Sequence, residues 1–204
     1  MRYLIIDDHS FTRLGIGRIL LDDDGDSQIE EVGNAQEALQ RLHQQRFDMI
    51  LLDLSLPDAH GLTLLKDLRA RYPETPVLVI TMHNQPQYAV RALQAGAAGY
   101  LTKDRAPEEL TQAVERIRQA KVYLPEDMAG KMWDSLVDGR DPLSLLSDRE
   151  FQVLRGLAEG HTVTKLAQQF QLSVKTVSTY RSRLMEKLHI TSRAEMVALA
   201  SSIS

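Results

Sequence analysis

Three aspartates, a threonine and a lysine stand at the ends of apolar runs in the first half of this chain. Asp7 and Asp8 follow Tyr3–Ile6, Asp53 follows Met49–Leu52, Thr81 ends Val77–Thr81, and Lys103 lies just beyond Gly99–Leu101. Carboxylates crowded into one crevice repel one another, and a hard divalent cation keeps them ionised. Magnesium suits such a set, because carboxylate oxygens, waters and a phosphate oxygen complete its octahedron. A lysine ammonium there offsets the charge of an incoming phosphoryl group, and a threonine hydroxyl can donate to it. Asp53 would then be the nucleophile that forms an acyl phosphate. Each residue also has an ordinary alternative. Asp8 or Ser10 could cap a helix, Thr81 could be a β-branched strand residue, Lys103 a solvated loop lysine, and Asp53 a metal ligand or a cap. What speaks for a site is that all five fall at the same kind of position.

The elements that must position them alternate. Short β-rich runs at Tyr3–Ile6, Ile29–Val32, Met49–Leu52, Val77–Thr81 and Gly99–Leu101 are separated by helical patterns over Thr12–Leu21, Ala35–Gln44, Leu62–Ala70 and Gln87–Ala95. A fifth helix, Pro107–Ala120, follows the last strand. Strands alternating with helices predict βαβ crossovers and a parallel sheet covered on both faces. The continuous runs "MILL" and "VLVI" fit strands buried on both sides. The expected fold is α/β, a five-stranded doubly wound sheet of order 2-1-3-4-5. In that order strands one and three are neighbours, and their carboxyl ends form the crevice where such folds bind ligands. Asp7, Asp8 and Asp53 meet there.

The remainder differs in pattern and in charge. Residues 1–120 hold 13 Lys/Arg against 18 Asp/Glu, whereas residues 144–204 hold 8 against 5. An acidic front and a basic end predict two domains with different partners. Residues 121–143 carry two prolines, a Gly-Arg-Asp-Pro turn and a short amphipathic piece around Met128–Leu136; they read as a linker, with the single tryptophan, Trp133, packing its helix. The chain has no cysteine, which excludes disulfides, iron–sulfur clusters and thiolate zinc sites and fits a reducing compartment. No apolar run is long enough to span a membrane, and "MRYLIIDDHS" is too soon acidic for a signal peptide. A cytoplasmic protein without a membrane partner is expected.

From Ser144 the pattern is helical, a small all-α four-helix domain. Ser147 and Glu150 form a capping box that opens a helix to about Ala158. Gly160 stops it, a second helix covers Val163–Phe170, Ser173 caps a third over Val174–Leu188, and Ser192 with Glu195 opens a last one to about Ala200. In the third helix Val177, Leu184 and Leu188 share the core stripe. Lys175, Thr179, Ser182 and Glu186 lie opposite, Ser178 and Arg183 flank that outer face, and Tyr180 and Arg181 fall nearer the core edges. The second helix gives Leu166, Ala167 and Phe170 to the core and Lys165 to the surface. Two short helices, a tight turn and a basic, hydroxyl-rich second helix describe a helix-turn-helix over about residues 162–181. A bundle for protein contact with a solvated charged face fits the same pattern.

"LIIDDHS", "MILLDLSLPDAHG", "VLVITMH" and "GYLTKD" resemble the receiver domain of two-component response regulators over residues 1–120. "LSDREFQVLRGLAEGHTVTKLAQQFQLSVKTVSTYRSRLMEKL" resembles the LuxR/NarL-type DNA-binding domain over residues 144–204. Together they resemble a NarL/FixJ-type transcription factor, and "TVSTYRSRLMEKL" is most similar to the BvgA- or EvgA-like members. The resemblance implies that Asp53 accepts phosphate from a sensor histidine kinase and that Asp7, Asp8, Asp53 and the Ser55 backbone carbonyl hold Mg2+. It further implies that Thr81 and Lys103 contact the phosphoryl group and that Tyr100 reports the change. It places Ser178, Thr179 and Ser182 on the bases of double-stranded DNA. Lys165, Lys175, Thr176, Tyr180, Arg181 and Arg183 would meet phosphates or frame the groove. A homodimer would form through the last helix, with Arg193, Ala194, Val197 and Ala198. The chain departs from the usual pattern at Asp104 after Lys103, Met82 after Thr81 and His60 before Gly61.

Two other functions compete. An aspartate-nucleophile phosphatase of the haloacid-dehalogenase kind needs its second acid two residues after the nucleophile on strand one, whereas Asp7 and Asp8 are adjacent here. No GxGxxG follows strand one, which disfavours dinucleotide binding. A constitutive DNA-binding protein with an unphosphorylated receiver is the third reading, and five intact site residues weigh against it.

Overall fold

A computed structural model describes residues 1–130, 142–192 and 195–196. The chain divides into two compact units, Met1–Met132 and Trp133–Ser204.

The first unit alternates strand and helix. In chain order these are β1 (Arg2–Ile6), α1 (Ser10–Asp23), β2 (Gln28–Val32), α2 (Ala35–Gln44) and β3 (Met49–Leu52). α3 (Gly61–Arg71), β4 (Val77–Thr81), α4 (Pro86–Gln94), β5 (Gly99–Thr102) and α5 (Ala106–Arg118) follow. All strand pairs are parallel and the order is 2-1-3-4-5, as the alternation predicts. Side chains alternate across the pleat, so each strand feeds both layers. Tyr3, Ile5, Met49, Leu51, Leu78, Ile80 and Leu101 pack with Ile16 and Leu20 of α1 and Leu110, Val114 and Ile117 of α5. The alternate residues Leu4, Ile6, Ile50, Leu52, Val77, Val79 and Tyr100 are equally buried, on the face that α2, α3 and α4 cover. Register aligns the carboxyl ends: Ile6 sits beside Val32 and Leu52, and Thr81 beside Thr102.

Helix boundaries move by a residue or two from the sequence reading. α1 begins at Ser10 rather than Thr12; its N-cap is His9, which makes no side-chain capping bond, so neither Asp8 nor Ser10 serves as the cap. α3 begins at Gly61 because the loop before it folds back on itself: Ser55 bridges His60, and Gly61 N–H donates to Leu54 O at 3.2 Å. A Cβ at Gly61 would fall 2.3 Å from Leu54 Cα, so only glycine allows this closure. The same loop is tied outward by Asp58, whose carboxylate accepts from Ala35 N at 2.9 Å and Gln36 N at 3.0 Å at the start of α2.

Part of the expected linker is built into the first unit. Tyr123 is buried, bridges Gly99 at the β5 edge, and donates its hydroxyl to Glu109 of α5 at 2.6 Å. Arg105 joins Glu109 at 3.2 Å and Asp127 at 2.9 Å, residues 126–130 are helical, and Met128 is buried. Trp133 lies outside the described residues.

In the second unit a 3-10 turn (Pro142–Leu145) leads to α6 (Asp148–Ala158), α7 (Val163–Gln169) and α8 (Val174–Lys187). Ser147 and Glu150 make the reciprocal capping box that the sequence predicts, Thr162 caps α7, and Ser173 caps α8 by accepting from Thr176 N. The α7–α8 turn places Gln171 at φ +53, and Leu172 N–H returns to Ala167 O at 2.8 Å. This left-handed closure is a common helix ending, though one usually made by glycine. Phe151, Leu154, Leu166, Ala167, Val177, Leu184 and Met196 are buried, while Phe170 and Leu188, expected in the core, are half-buried. Buried Glu150 takes the Lys187 ammonium at 2.7 Å, joining α6 to the end of α8. Burial alone would raise the Glu150 pKa, but the Lys187 and Ser147 hydrogen bonds outweigh it and hold the carboxyl below its ordinary value.

Candidate functional site

The sheet's own hydrogen bonds deliver the acidic residues to one place. Asp7 N–H donates to Val32 O at 3.2 Å, Asp53 N–H to Ile6 O at 2.8 Å, and Lys103 N–H to Thr81 O at 2.9 Å. Each bond extends a ladder one residue past its strand, so each side chain leaves from the end of the sheet. Lys103 Nζ lies 2.7 Å from Asp7 Oδ2 and 2.7 Å from Asp53 Oδ2, with all three side chains at 8% exposure or less. Burial opposes the ammonium charge, yet hydrogen bonds and charge from Asp53 and Asp7 prevail and raise the Lys103 pKa above 10.5.

The other carboxylate oxygens are also engaged. Asp53 Oδ1 accepts from Ser55 N at 3.1 Å, and Asp7 Oδ1 from His9 N at 2.8 Å. Arg13 donates to Asp7 O at 2.6 Å. Thr81 is fully buried, and among the described residues its hydroxyl oxygen meets no hydrogen-bond partner. A buried hydroxyl without a partner is costly, and its presence at the sheet end that carries Asp7 and Asp53 fits a site shaped for a further polar group.

One ligand atom from each of Asp7, Asp8, His9 and Asp53 lies within 4.8 Å of the others. The three carboxylates are the expected set, and a cluster of hard oxygen donors fits a hard divalent cation. His9 was not expected. Its Nδ1 stands 2.7 Å from Asp8 Oδ1 and 3.3 Å from Asp7 Oδ1, placed there by the turn between β1 and α1. Its position directly after Asp7-Asp8 was the only sequence signal.

Around the crevice runs a second set of contacts. Ser55 Oγ lies 3.3 Å from His83 Nε2, and the His83 ring stacks on Tyr88 with centroids 4.1 Å apart. Tyr100, fully buried, donates its hydroxyl to His83 O at 2.7 Å. Desolvation by burial comes first among the causes that push its phenol well above 10, with the charge of Asp53 adding to it. Met82 is 68% exposed, and His60 caps α3 through Nδ1, which accepts from Leu62 N and Thr63 N. His60 thus serves α3 as an N-cap acceptor at the position where the chain departs from the usual pattern.

In the second unit α8 buries Val177 and Leu184 and exposes Lys175, Ser178, Thr179, Arg181, Ser182 and Arg183; Thr176 and Tyr180 are half-buried. Lys165 of α7 is exposed. Thr179 Oγ1 donates to Lys175 O at 2.9 Å and Ser182 Oγ to Ser178 O at 3.1 Å. Arg149 lies 6.0 Å above the Phe170 ring. Arg193, Ala194, Val197 and Ala198, expected to join two copies, lie outside the described residues. Among those residues no helix is long and apolar enough to cross a membrane.

Both parts of the chain match known families. Residues 3–115 match the family described as response regulator receiver domain, and residues 144–200 the bacterial regulatory proteins of the luxR family. The chain is 32% identical over 200 residues to Response regulator UvrY of Escherichia coli K12, covering 97% of this chain and 92% of that protein. It is 38% identical over 203 residues to a putative transcriptional regulator of Pseudomonas aeruginosa, covering 98% and 96%. Among solved structures, RcsB from Salmonella enterica serovar Typhimurium bound to promoter P1flhDC with the phosphomimetic BeF3- is 26% identical, with a TM-score of 0.73 over 100% of this chain and 99% of that one.

Proposed function

The chain belongs to the response regulators that join a receiver domain to a LuxR-type helix-turn-helix domain, and from that premise we propose that Asp53 is its phosphoacceptor and α8 its DNA-reading helix. It is a DNA-binding transcriptional regulator of a two-component system, switched by aspartyl phosphorylation. The boundaries we assign are a receiver at 1–120, a connecting segment at 121–143 and a DNA-binding domain at 144–204. The observation that carries the assignment is the buried Lys103 ammonium 2.7 Å from both Asp7 and Asp53, with the unpartnered Thr81 hydroxyl at the same sheet end.

Asp53 Oδ attacks the phosphorus of a phosphohistidine on the sensor kinase. The new P–O bond forms as the P–N bond breaks, and the imidazole takes up a proton. Lys103 and Thr81 then hold the phosphoryl oxygens by charge and hydrogen bond. Asp7, Asp8, Asp53 and the Ser55 carbonyl are the residues that would hold Mg2+, which supplies charge neutralisation at the transferring group. The added dianion draws in the Thr81 hydroxyl and frees Tyr100 to repack. In the second domain Ser178, Thr179 and Ser182 meet base edges, while Lys165, Lys175, Thr176, Tyr180, Arg181 and Arg183 meet phosphates or frame the groove. The relative RcsB is seen bound to DNA as dimers; a homodimer acting in the cytoplasm on double-stranded DNA is the corresponding proposal here.

The test is direct. The full chain is incubated with acetyl phosphate and magnesium, and intact mass is measured for wild type and Asp53→Asn. One phosphoryl group on wild type and none on the variant is expected. Equal phosphorylation of both would overturn the assignment of Asp53, and sustained turnover of the donor without an adduct would favour an enzyme.

A further inference from the structure

The exposed hydroxyls of α8 do not all have their protons free. Thr179 Oγ1–H is donated to Lys175 O at 2.9 Å and Ser182 Oγ–H to Ser178 O at 3.1 Å, each one helical turn back. A hydroxyl has one proton and two lone pairs. With the proton committed to the helix, each oxygen faces outward as an acceptor only. Ser178 differs, because among the described residues no hydrogen bond fixes its hydroxyl, which can turn to donate or accept. All three side chains lie away from the buried Val177 and Leu184.

Resting on the reading of α8 as the helix that enters the major groove, we infer that Thr179 and Ser182 select amino-bearing bases, adenine or cytosine, on the strand each one faces. In the major groove adenine offers N6–H and cytosine N4–H, whereas guanine offers only acceptors and thymine an acceptor and a methyl group. An acceptor-only oxygen pairs with the first two and opposes the acceptor atoms of the others. Every base pair carries one amino group in the major groove, so this readout does not separate A·T from G·C. It separates the two orientations of a pair: exchanging A for C is tolerated, and exchanging A for T or C for G is not. The operator is therefore degenerate in composition and biased in strand at two positions, and indifferent at the position facing Ser178. To accept G or T, either hydroxyl must break its bond to the helix carbonyl, which sets the discrimination at about threefold to tenfold per position, the worth of one neutral hydrogen bond.

Selection of the full chain from randomised duplexes, with acetyl phosphate and magnesium present, tests this. Two half-site positions should favour A or C over G or T on one strand. Ser182→Ala should flatten one of them and Thr179→Val the other; both residues are exposed, so folding is not at stake. N4-methylcytosine or N6-methyladenine at those positions, which replaces the groove-facing N–H, should weaken wild type by about threefold to tenfold and leave the matching variant unmoved. Preference for G or T, or preferences that the variants do not shift, would overturn the inference while leaving α8 as the reader. Absence of any selected sequence would overturn both.

Discussion

Replacing Lys103 by methionine removes the ammonium held between Asp7 and Asp53 while keeping an unbranched chain of similar length. The ammonium lies 2.7 Å from an oxygen of each, and the three side chains are 8%, 2% and 1% exposed. With charges about 3 Å apart and an effective dielectric constant near 20, each contact is worth roughly 5 kcal/mol before desolvation is counted. Much of that gross term offsets the cost of burying the charges. The net loss on deleting one member of a buried pair is about 3–5 kcal/mol, because the remaining charges are left without compensation. At about 3 °C per kcal/mol for a domain of this size, the first unit should unfold about 9–15 °C earlier without divalent cations. Magnesium should restore much of the loss, since a cation bound only by the folded state stabilises it by mass action. The Lys103 pKa is raised above 10.5, so the lysine's contribution is complete below that value and fades as pH climbs through the folded pKa. The gap between wild type and variant should therefore stay constant at neutral pH and narrow above 10.5. Calorimetry with and without magnesium across this range provides the assay. A variant as stable as wild type in the absence of magnesium would refute the reasoning, as would a loss that magnesium does not reduce.

Gly61→Ala should cost about 3 kcal/mol of stability by overpacking, because the new Cβ meets Leu54 backbone atoms at 2.3 and 2.6 Å; chemical denaturation checks it, and a neutral result would mean the β3–α3 loop is not closed as described. Glu150→Gln should destabilise the second unit by about 1–3 kcal/mol through loss of a charged hydrogen bond. The Glu150 pKa is lowered from 4.5, so its contribution is present above that value and disappears as pH falls through the folded pKa; the variant should match wild type in strong acid. Lys175→Ala or Arg183→Ala should weaken binding to all DNA sequences alike and reduce the salt slope by about one for each phosphate no longer neutralised, as fluorescence titrations at several salt concentrations will show. Sequence-selective losses would instead place these side chains on bases.

The positions of the acidic residues were legible because a parallel sheet buried on both faces writes its strands as unbroken apolar runs, and the first polar residue after each run marks the sheet's end. Asp7, Asp53 and Thr81 follow from that rule alone. The exact start of α1 was not legible, because it depends on Asp7 Oδ1 accepting from His9 N rather than on any apolar periodicity. The same turn brings the His9 ring to Asp8. Tyr123 falls in the segment that reads as a linker from its two prolines and its Gly-Arg-Asp-Pro turn. Its place at the β5 edge is set by backbone pairing with Gly99 and by Glu109, partners 24 and 14 residues away that leave no periodic trace. On α8 the outward face could be read from helical spacing. The direction of the Thr179 and Ser182 protons could not, because it depends on carbonyl positions within the helix.

With Asp53 as the proposed phosphoacceptor, these long-range contacts bear on how a phosphoryl group there would be felt outside the first unit. Tyr100 N–H donates to Tyr123 O at 2.9 Å, and Tyr123 N–H to Ala98 O at 3.1 Å, so the departing segment is paired to the strand that carries Tyr100. Arg105, two residues after Lys103, donates its backbone N–H to Thr102 O at 3.0 Å and its guanidinium to Glu109 and Asp127. The segment is thus bound at one point to the strand whose tyrosine holds the His83 carbonyl and at another to the turn whose lysine holds Asp53. A shift of Tyr100 away from His83, or of Lys103 toward a phosphoryl oxygen, works against hydrogen bonds worth about 1 kcal/mol each. Coupling of about 1–3 kcal/mol changes occupancy at a distant site by about 5- to 150-fold. Two or three such bonds, made in one state and loosened in the other, are of the right size, so the connection between phosphorylation and DNA binding requires no direct contact between Asp53 and α8.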